Sequence, residues 1–506
     1  MTLLLGLDVG TTSVKVGLFD VSGRRLATGA QEYRIQHPSP DRAELDPETY
    51  WSATVTAVRG ALADAGADRR QLAAIAVSSQ GETVIPVDAD GRPIGPALVW
   101  LDNRAGAEAR ELAERFGDAE VYDRTGVPSI NPTWTASKLL WWRHNEPELF
   151  ARARRFLLVE DFILHRLSGR FVTDGGIHCT SLLYDIREHG WWEPMLDAVG
   201  VEPGRLPELV PPGSVVGSLS TAAAEALGLP SSVLVVAGGM DQGAGAVGVG
   251  NIEAGAVSES TGGALTLQAS VERHGLDPTG QTPVYIHSAP DRYLYCPVCP
   301  TGGMALTWFR DQFGGEEVAR AAREDRSAYD LLTELAAEAP PGAGGLTMLP
   351  HLMGAFSPEY DPEACGVFYG FTLHHGKPHF VRAVLESVAF MLRRNLELLA
   401  GAGAAASEIR SHGGGARSVL WNQIKADVCG LPVVTLQGED AAVRGDAMLA
   451  GTATGTYATL AEAATAMVVA GGRYEPDLTT RATYDEAYAR YKRLFDALRP
   501  IFHSTG

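Results

Sequence analysis

The 506-residue sequence holds only five cysteines: Cys179, Cys296, Cys299, Cys365 and Cys429. So sparse and odd a set excludes a disulfide-built scaffold and fits a reducing compartment, so a cytoplasmic protein is the expectation. Long hydrophobic runs are missing too, since no stretch reaches the ~18 apolar residues of a membrane span. Residues 1–10 lack a basic n-region and are interrupted by Asp8, so they do not read as a secretory signal. Positive charge is scarce: 42 Lys and Arg stand against 61 Asp and Glu, a formal net charge of −19. That argues against a nucleic-acid partner, because a phosphate backbone is bound by clustered Lys and Arg. A nucleotide is not excluded, since it needs only a local cradle of backbone N–H groups.

What is present is ordinary globular composition in a length suited to two large domains or three smaller ones. Leu3 to Val9 reads as a strand, Gly10 to Ser13 as a turn, and Val14 to Phe19 as a second strand. A third strand starts at Leu26, and Pro47 to Leu62 carries apolar residues at helical spacing. Ala73 to Ser78 and Val84 to Val87 read as strands, Lys138 to Arg143 and Phe156 to Leu167 as helices of a more helical insert. A strand over Val233 to Ala237 enters a glycine-rich stretch ending near Gly250, where the domain boundary is placed: 1–248 and 249–506. The stretch 256–265 then repeats the opening pattern of apolar run, Thr-Gly turn and apolar run, a faint echo that suggests an internal duplication. Phe380 to Leu399 is a long helix with one broad apolar face, ended by Gly401 and Gly403.

Three segments carry the chemistry. In Asp8-Val9-Gly10-Thr11-Thr12-Ser13-Val14-Lys15, glycine lets backbone amides turn toward an anion and the threonines add donors. Asp8 would hold Mg²⁺, directly or through water, and Lys15 would add positive charge. The loop joins two strands, unlike a Walker A loop, and an ordinary hairpin turn is the alternative. Gly239-Met240-Asp241-Gln242 sets a carboxylate at the end of a strand, where a general base belongs; a plain N-cap is the alternative. Gly413-Gly414-Gly415-Ala416-Arg417-Ser418 opens a helix with room for a nucleotide to approach the backbone; a flexible turn is the alternative. Gly243 to Gly248 matches G-x-G-x-x-G, but the helix after it is too short for a dinucleotide-binding crossover and reads as close packing between lobes. Cys296-Pro297-Val298-Cys299 lacks a second ligand pair for zinc, and His374-His375 reads as a solvated turn.

Taken in order, these motifs resemble the FGGY carbohydrate kinase family from Leu4 to about Thr456. Leu5 to Thr12 is similar to its first phosphate motif, Trp100-Leu101-Asp102-Asn103-Arg104 to its Trp-x-Asp-x-Arg segment, and Ser260-Thr261-Gly262 to its second phosphate motif. Gly302-Gly303 with Trp308 matches the segment that follows, and Gly413 to Asp427 its adenosine motif. The resemblance implies an α/β, actin/Hsp70-like two-lobed fold with two ribonuclease-H-like domains around a central cleft. It implies an N-terminal sugar-binding lobe and a C-terminal nucleotide-binding lobe, with ATP and Mg²⁺ as cofactors. Asp241 is then the base and Asp8 the Mg²⁺-associated acid. Gly10, Thr11, Thr12 and Lys15 face the phosphates from one lobe, Thr261 and Gly262 from the other, and Gly303, Gly414, Gly415 and Ser418 border the nucleoside. Gln80, Glu82, Trp100, Asp102 and Gln242, with Asp241, face the substrate.

The expected partner is a small sugar or polyol, first a ketopentose such as D-xylulose; glycerol or a tetritol is the alternative, and a homodimer is left open. Gln80-Gly81-Glu82-Thr83 resembles the Gln-Arg-Glu-Thr of glycerol kinases but lacks the arginine, while the Trp100 segment leans toward pentulose kinases. Arg444-Gly445-Asp446 departs from the family's usual Gly-Ala-Ala and reads as altered helix packing. The rival of a different class is an actin- or Hsp70-like ATPase acting through partner binding.

Overall fold

Leu3–Val9 (β1) is an apolar run broken only by Gly6 and Asp8, and a run without polar alternation needs cover on both faces. The computed structural model, which describes residues 2–66, 68–275, 277, 279–438 and 440–504, supplies that cover. β1 pairs antiparallel with Ser13–Asp20 (β2), and β2 with Arg25–Glu32 (β3). Glu48–Asp64 (α1) carries the chain to Leu72–Ser79 (β4), which lies parallel to β1. In the insert, Val84–Val87 (β5) pairs antiparallel with Arg155–Leu158 (β6), and Thr135–Asn145 (α2) and Val159–Ser168 (α3) form helices. The helix expected over 156–167 is therefore strand in its first part. Phe156 and Leu158 pack into one apolar cluster and Leu157 into another, a two-residue alternation that an all-apolar run conceals. Val215–Ser218 (β7) and Leu234–Met240 (β8) complete a sheet in the order β7-β8-β4-β1-β2-β3, and Asp241–Gly248 (α4) follows β8 directly.

A second sheet repeats this logic. Val257–Thr261 (β9) and Leu265–Val271 (β10) form an antiparallel hairpin, and Ile409–His412 (β11) and Val433–Leu436 (β12) add in parallel beside β9. Ala470–Tyr474 (β13) closes the edge antiparallel to β12. A hairpin extended by two parallel strands is thus common to both sheets, the ribonuclease-H-like arrangement twice over, and the echo at 256–265 is its trace in the sequence. Met304–Phe313 (α5), Lys377–Gly401 (α6) and Val419–Cys429 (α7) belong to this second half. α6 buries the stripe from Val381 to Leu399 that its spacing predicts.

Ala441–Ala453 (α8) then packs with the first sheet. The compact units consequently do not follow a single cut after residue 248. The first comprises Met1–Glu253, Val271–Leu294 and Asp440–Val469; the second comprises Ala254–Ser270, Tyr295–Glu439 and Ala470–Gly506. The cause is glycine. A Cβ on Gly445 would lie 1.8 Å from the Ala244 carbonyl oxygen, one on Gly248 would lie 1.8 Å from that of Ala441, and one on Gly6 would lie 1.8 Å from that of Val443. α8 therefore touches α4 and β1 backbone to backbone. The small residues of 243–248 serve this contact inside the first unit, where the sequence suggested a contact between lobes.

Gly445→Ala is expected to cost about 1–3 kcal/mol or more by overpacking and to lower the melting temperature. Gly245→Ala, one turn from that contact where a Cβ meets nothing within 4 Å, is expected to leave stability unchanged or raise it by about 0.4–1 kcal/mol. Equal thermal melts for the two variants would contradict the close-approach account.

Candidate active site

β1, β4 and β8 run parallel and end together, Asp8 opposite Ser78 and Met240 opposite Ser79. Carboxyl ends of adjacent parallel strands are where α/β proteins gather a site. Asp8 and Asp241 meet there. Asp241 is the first residue of α4, with Met240 as the preceding cap position, so it is not the N-cap its sequence context allowed. Asp8 Oδ1 has no hydrogen-bond partner. Burial, reinforced by the charges of Asp241 and Asp440 and opposed by Lys15, pushes the Asp8 carboxyl up to about 8. Burial pushes Asp241 to about 6, against a backbone hydrogen bond from Gln242, which neighbours it at the start of α4.

Asp446, read from sequence as packing, joins this group from α8. It is fully buried, accepts from Ser78 Oγ at 2.8 Å through Oδ2, and leaves Oδ1 without a partner. Burial first, then Asp8, raise it well above the carboxylate range. Nothing in the sequence could have placed Asp446 here, because the approach of α8 depends on backbone contacts far apart in the chain.

The loop residues divide. Gly10 closes the β1–β2 turn, its N–H donating to the Ser13 carbonyl at 3.0 Å, and Tyr33 Oη donates to the Gly10 carbonyl. Thr11 Oγ1 accepts from Trp100 Nε1 at 2.9 Å, while Thr12 is exposed. Lys15, expected at the phosphates, forms an ion pair with Asp440 at 3.0 Å. Gln80 is buried, donates to Tyr50 Oη at 3.0 Å and leaves Oε1 unpartnered. Glu82 adopts a φ of +58°, an uncommon conformation for a residue with a side chain. Burial moves its carboxyl to about 7; Thr180 and Lys138 oppose that shift and Asp241 adds to it.

Asp102 departs from expectation. Its Oδ1 accepts from the backbone and Nε of Arg104, and its Oδ2 from the Ala43 N–H at 2.7 Å and from the Arg104 guanidinium at 2.7 Å. With four bonds its lone pairs are taken, so it braces the Trp100 segment and has no capacity left for a sugar hydroxyl.

In the second unit, Thr261, Gly262, Gly303, Gly414, Gly415 and Ser418 come together around a cavity of about 500 Å³. The Gly303 N–H donates to the Gly262 carbonyl at 2.8 Å, and a Cβ on Gly415 would lie 2.6 Å from that of Thr261, so glycine is what lets these loops converge. The Thr261 hydroxyl is committed to a buried network with Glu259 (2.7 Å) and Lys425 (2.9 Å). Leu306, Tyr329 and Trp421 add apolar and aromatic wall, which suits a planar base. Tyr329 lies in a helix without any motif, so sequence offered no signal for it. Cys296 and Cys299 are buried, and Cys299 Sγ donates to the Ser357 carbonyl at 3.3 Å. Among the described residues no group of three or more His, Cys, Asp and Glu is placed to hold a metal by itself, and no helix is long and apolar enough to cross a membrane.

Residues 3–248 match the N-terminal domain and residues 265–454 the C-terminal domain of the FGGY family of carbohydrate kinases. The chain belongs to that family. The kinase is 30% identical to the xylulose kinase of Lactococcus lactis, over 99% of this chain and 98% of that one. It is 29% identical to the gluconokinase of Bacillus subtilis, over 90% of this chain and 87% of that one. The crystal structure of the xylulose kinase from Rhodospirillum rubrum matches it with a TM-score of 0.91 at 28% identity, covering 99% of this chain and 100% of that one. The activity class is therefore phosphoryl transfer to a carbohydrate, and the reading as an ATPase working through partner binding falls away.

Carboxyls with raised pKa values keep protons in the folded kinase that the unfolded chain has already released. Ligand-free stability is therefore expected to fall as pH rises from about 4 toward 8. Asp8→Asn is expected to melt above the parent at pH 8, by a margin that shrinks as the pH falls toward 4; coincident melts at pH 8 would refute the charge-crowding account.

Proposed function

We propose that this kinase transfers the γ-phosphoryl group of ATP to a hydroxyl of an uncharged ketopentose, D-xylulose first, with Asp241 as general base. The observation that carries the reading is the crowd of carboxyls around Asp241: Asp8, Glu82 and Asp446 all bear on it or on each other. Asp241, ionised at neutral pH, accepts strongly from a sugar hydroxyl, and carboxyls already driven toward their neutral forms by crowding oppose the entry of a further negative charge, so an acid substrate is disfavoured. Lys138, beside Glu82, is buried and donates to the main-chain carbonyls of Glu82 (3.2 Å) and Val99 (2.9 Å), and burial lowers its ammonium to about 7, so it offers little positive charge to an acid substrate. A gluconate carboxylate would find poor company here, which favours the xylulose kinase relatives as the guide to substrate.

In the reaction, Asp241 takes the proton of the attacking hydroxyl as the new O–P bond forms and the bond to the β-phosphate oxygen breaks. A pKa near 6 leaves Asp241 ionised at neutral pH and able to accept that proton. Gln80 and Glu82 orient the sugar. The glycine-lined cavity of the second unit takes the nucleotide. Mg²⁺ fits the unpartnered Asp8 Oδ1, since this ion is bound by one or two carboxylates with phosphate oxygens and water completing its shell. When bound it neutralises phosphate charge.

Asp241→Asn is expected to lower kcat roughly 10²–10⁴-fold with the sugar KM little changed; near-normal turnover would remove Asp241 from the role. Across D-xylulose, gluconate and glycerol, kcat/KM is expected to be highest for D-xylulose, and preference for gluconate would overturn the charge argument.

Glu82→Gln is expected to raise the sugar KM and reduce kcat/KM about 10–150-fold while the ATP KM stays put. If the sugar KM is unmoved and only the melting temperature drops, Glu82 is structural.

A further inference from the structure

We propose that Glu160 is a positioning residue for Asp241, holding a bulge in β8 that sets the direction of the catalytic carboxylate. The inference rests on Asp241 being the general base. β8 runs in step with β4 from Leu234 opposite Ala74 to Ala237 opposite Val77. It then slips, so that Gly239 stands opposite Ser78 and Gly238 is left over. A bulge strips backbone groups of their ladder partners and re-aims the residues that follow. Two residues after it, Asp241 opens α4.

The bulge is gripped from two sides. Glu160 Oε1 accepts from the N–H groups of both Gly238 and Gly239 at 2.9 Å, and the Ser288 hydroxyl donates to the Gly238 carbonyl at 2.8 Å. Gly239 takes a φ of +83°, and a Cβ on Gly238 would come within 2.5 Å of the Val77 carbonyl oxygen, so both glycines are required by the shape. Glu160 is fully buried in the first turn of α3, and its second oxygen makes no hydrogen bond. Its whole polar contribution is therefore to those two N–H groups.

Its neighbours are engaged elsewhere. Asp161 Oδ2 accepts from the Leu158 N–H at 2.7 Å and lies 3.2 Å from His178 Nε2, while Asp174 Oδ1 accepts from the Ile177 N–H at 3.1 Å. Burial, then the charges of Asp174 and Asp161, raise the Glu160 carboxyl well above the usual range. Both N–H groups share one acceptor, Glu160 Oε1. A glutamine amide has nearly the same shape and keeps a carbonyl oxygen for that position.

The test compares Glu160→Leu, Glu160→Gln and Asp241→Asn in the full-length kinase, reading kcat, both KM values and the melting temperature. Glu160→Leu is expected to lower kcat on the order of 10²-fold, the scale of a misplaced catalytic group, with sugar and ATP KM nearly unchanged. Glu160→Gln is expected to restore kcat to near the parent value. Unchanged kcat in Glu160→Leu, or a glutamine variant no better than leucine, overturns the proposal. If Glu160→Leu does not fold, Ser288→Ala carries the test: it releases the Gly238 carbonyl, and unchanged kcat there overturns it equally. Full activity in Asp241→Asn would instead show that the general-base reading had failed, which separates the two failures.

Discussion

The backbone contact of α8 with α4 and β1 is the constraint on which the site depends. Three glycines, Gly6, Gly248 and Gly445, stand where any side chain would strike a carbonyl oxygen. With α8 drawn in to that distance, Asp446 reaches Ser78 at the end of β4 and Asp440 reaches Lys15 on β2. Burial and Asp241 dominate the environment of Asp8, and Asp440, the residue just ahead of α8, adds to them from the far end of the sequence. Packing by shape and crowding of charge are two aspects of one arrangement.

That crowding has a chemical logic. Carboxyls pushed toward neutral pH are costly in the ligand-free protein, and under the proposed reading the cost is relieved by a cation beside Asp8 and by hydroxyls that donate to Glu82 and Asp241. Lysine and arginine within the same unit offset this only in part and have their own contacts, Lys138 on the carbonyls of Glu82 and Val99, Lys15 on Asp440, Arg104 on Asp102. The substrate expected is therefore uncharged and rich in hydroxyls. The second unit is built differently, with glycine-lined loops and an aromatic wall around a cavity, a lining that suits the planar base proposed for it.

Much was legible from residue order. Short apolar runs bounded by turn residues gave β1, β2 and β4, because run length and a Gly-Thr turn are local properties. The glycine motifs marked both loops of the second-unit cavity, since room for backbone approach is written in the absence of a Cβ. Failures arose where the same letters serve two environments. Phe156-Leu157-Leu158 is apolar on both faces, so its strand period was invisible. Asp102 lies in a segment that reads as substrate-facing, yet Arg104 and the Ala43 amide consume its oxygens.

By itself the sequence determined the two α/β sheets, the order of the motifs and the residue types able to hold phosphate, cation and hydroxyl, because these follow from spacing and from backbone freedom along one stretch of chain. Only the tertiary structure decided which of those residues meet: that Asp446 stands beside Asp8, that Lys15 is paired, that Asp102 is spent, and that Glu160 grips the bulge ahead of Asp241. Those outcomes depend on distances between segments far apart in the chain, and on competition among donors for the same oxygens, neither of which has a signature in residue order.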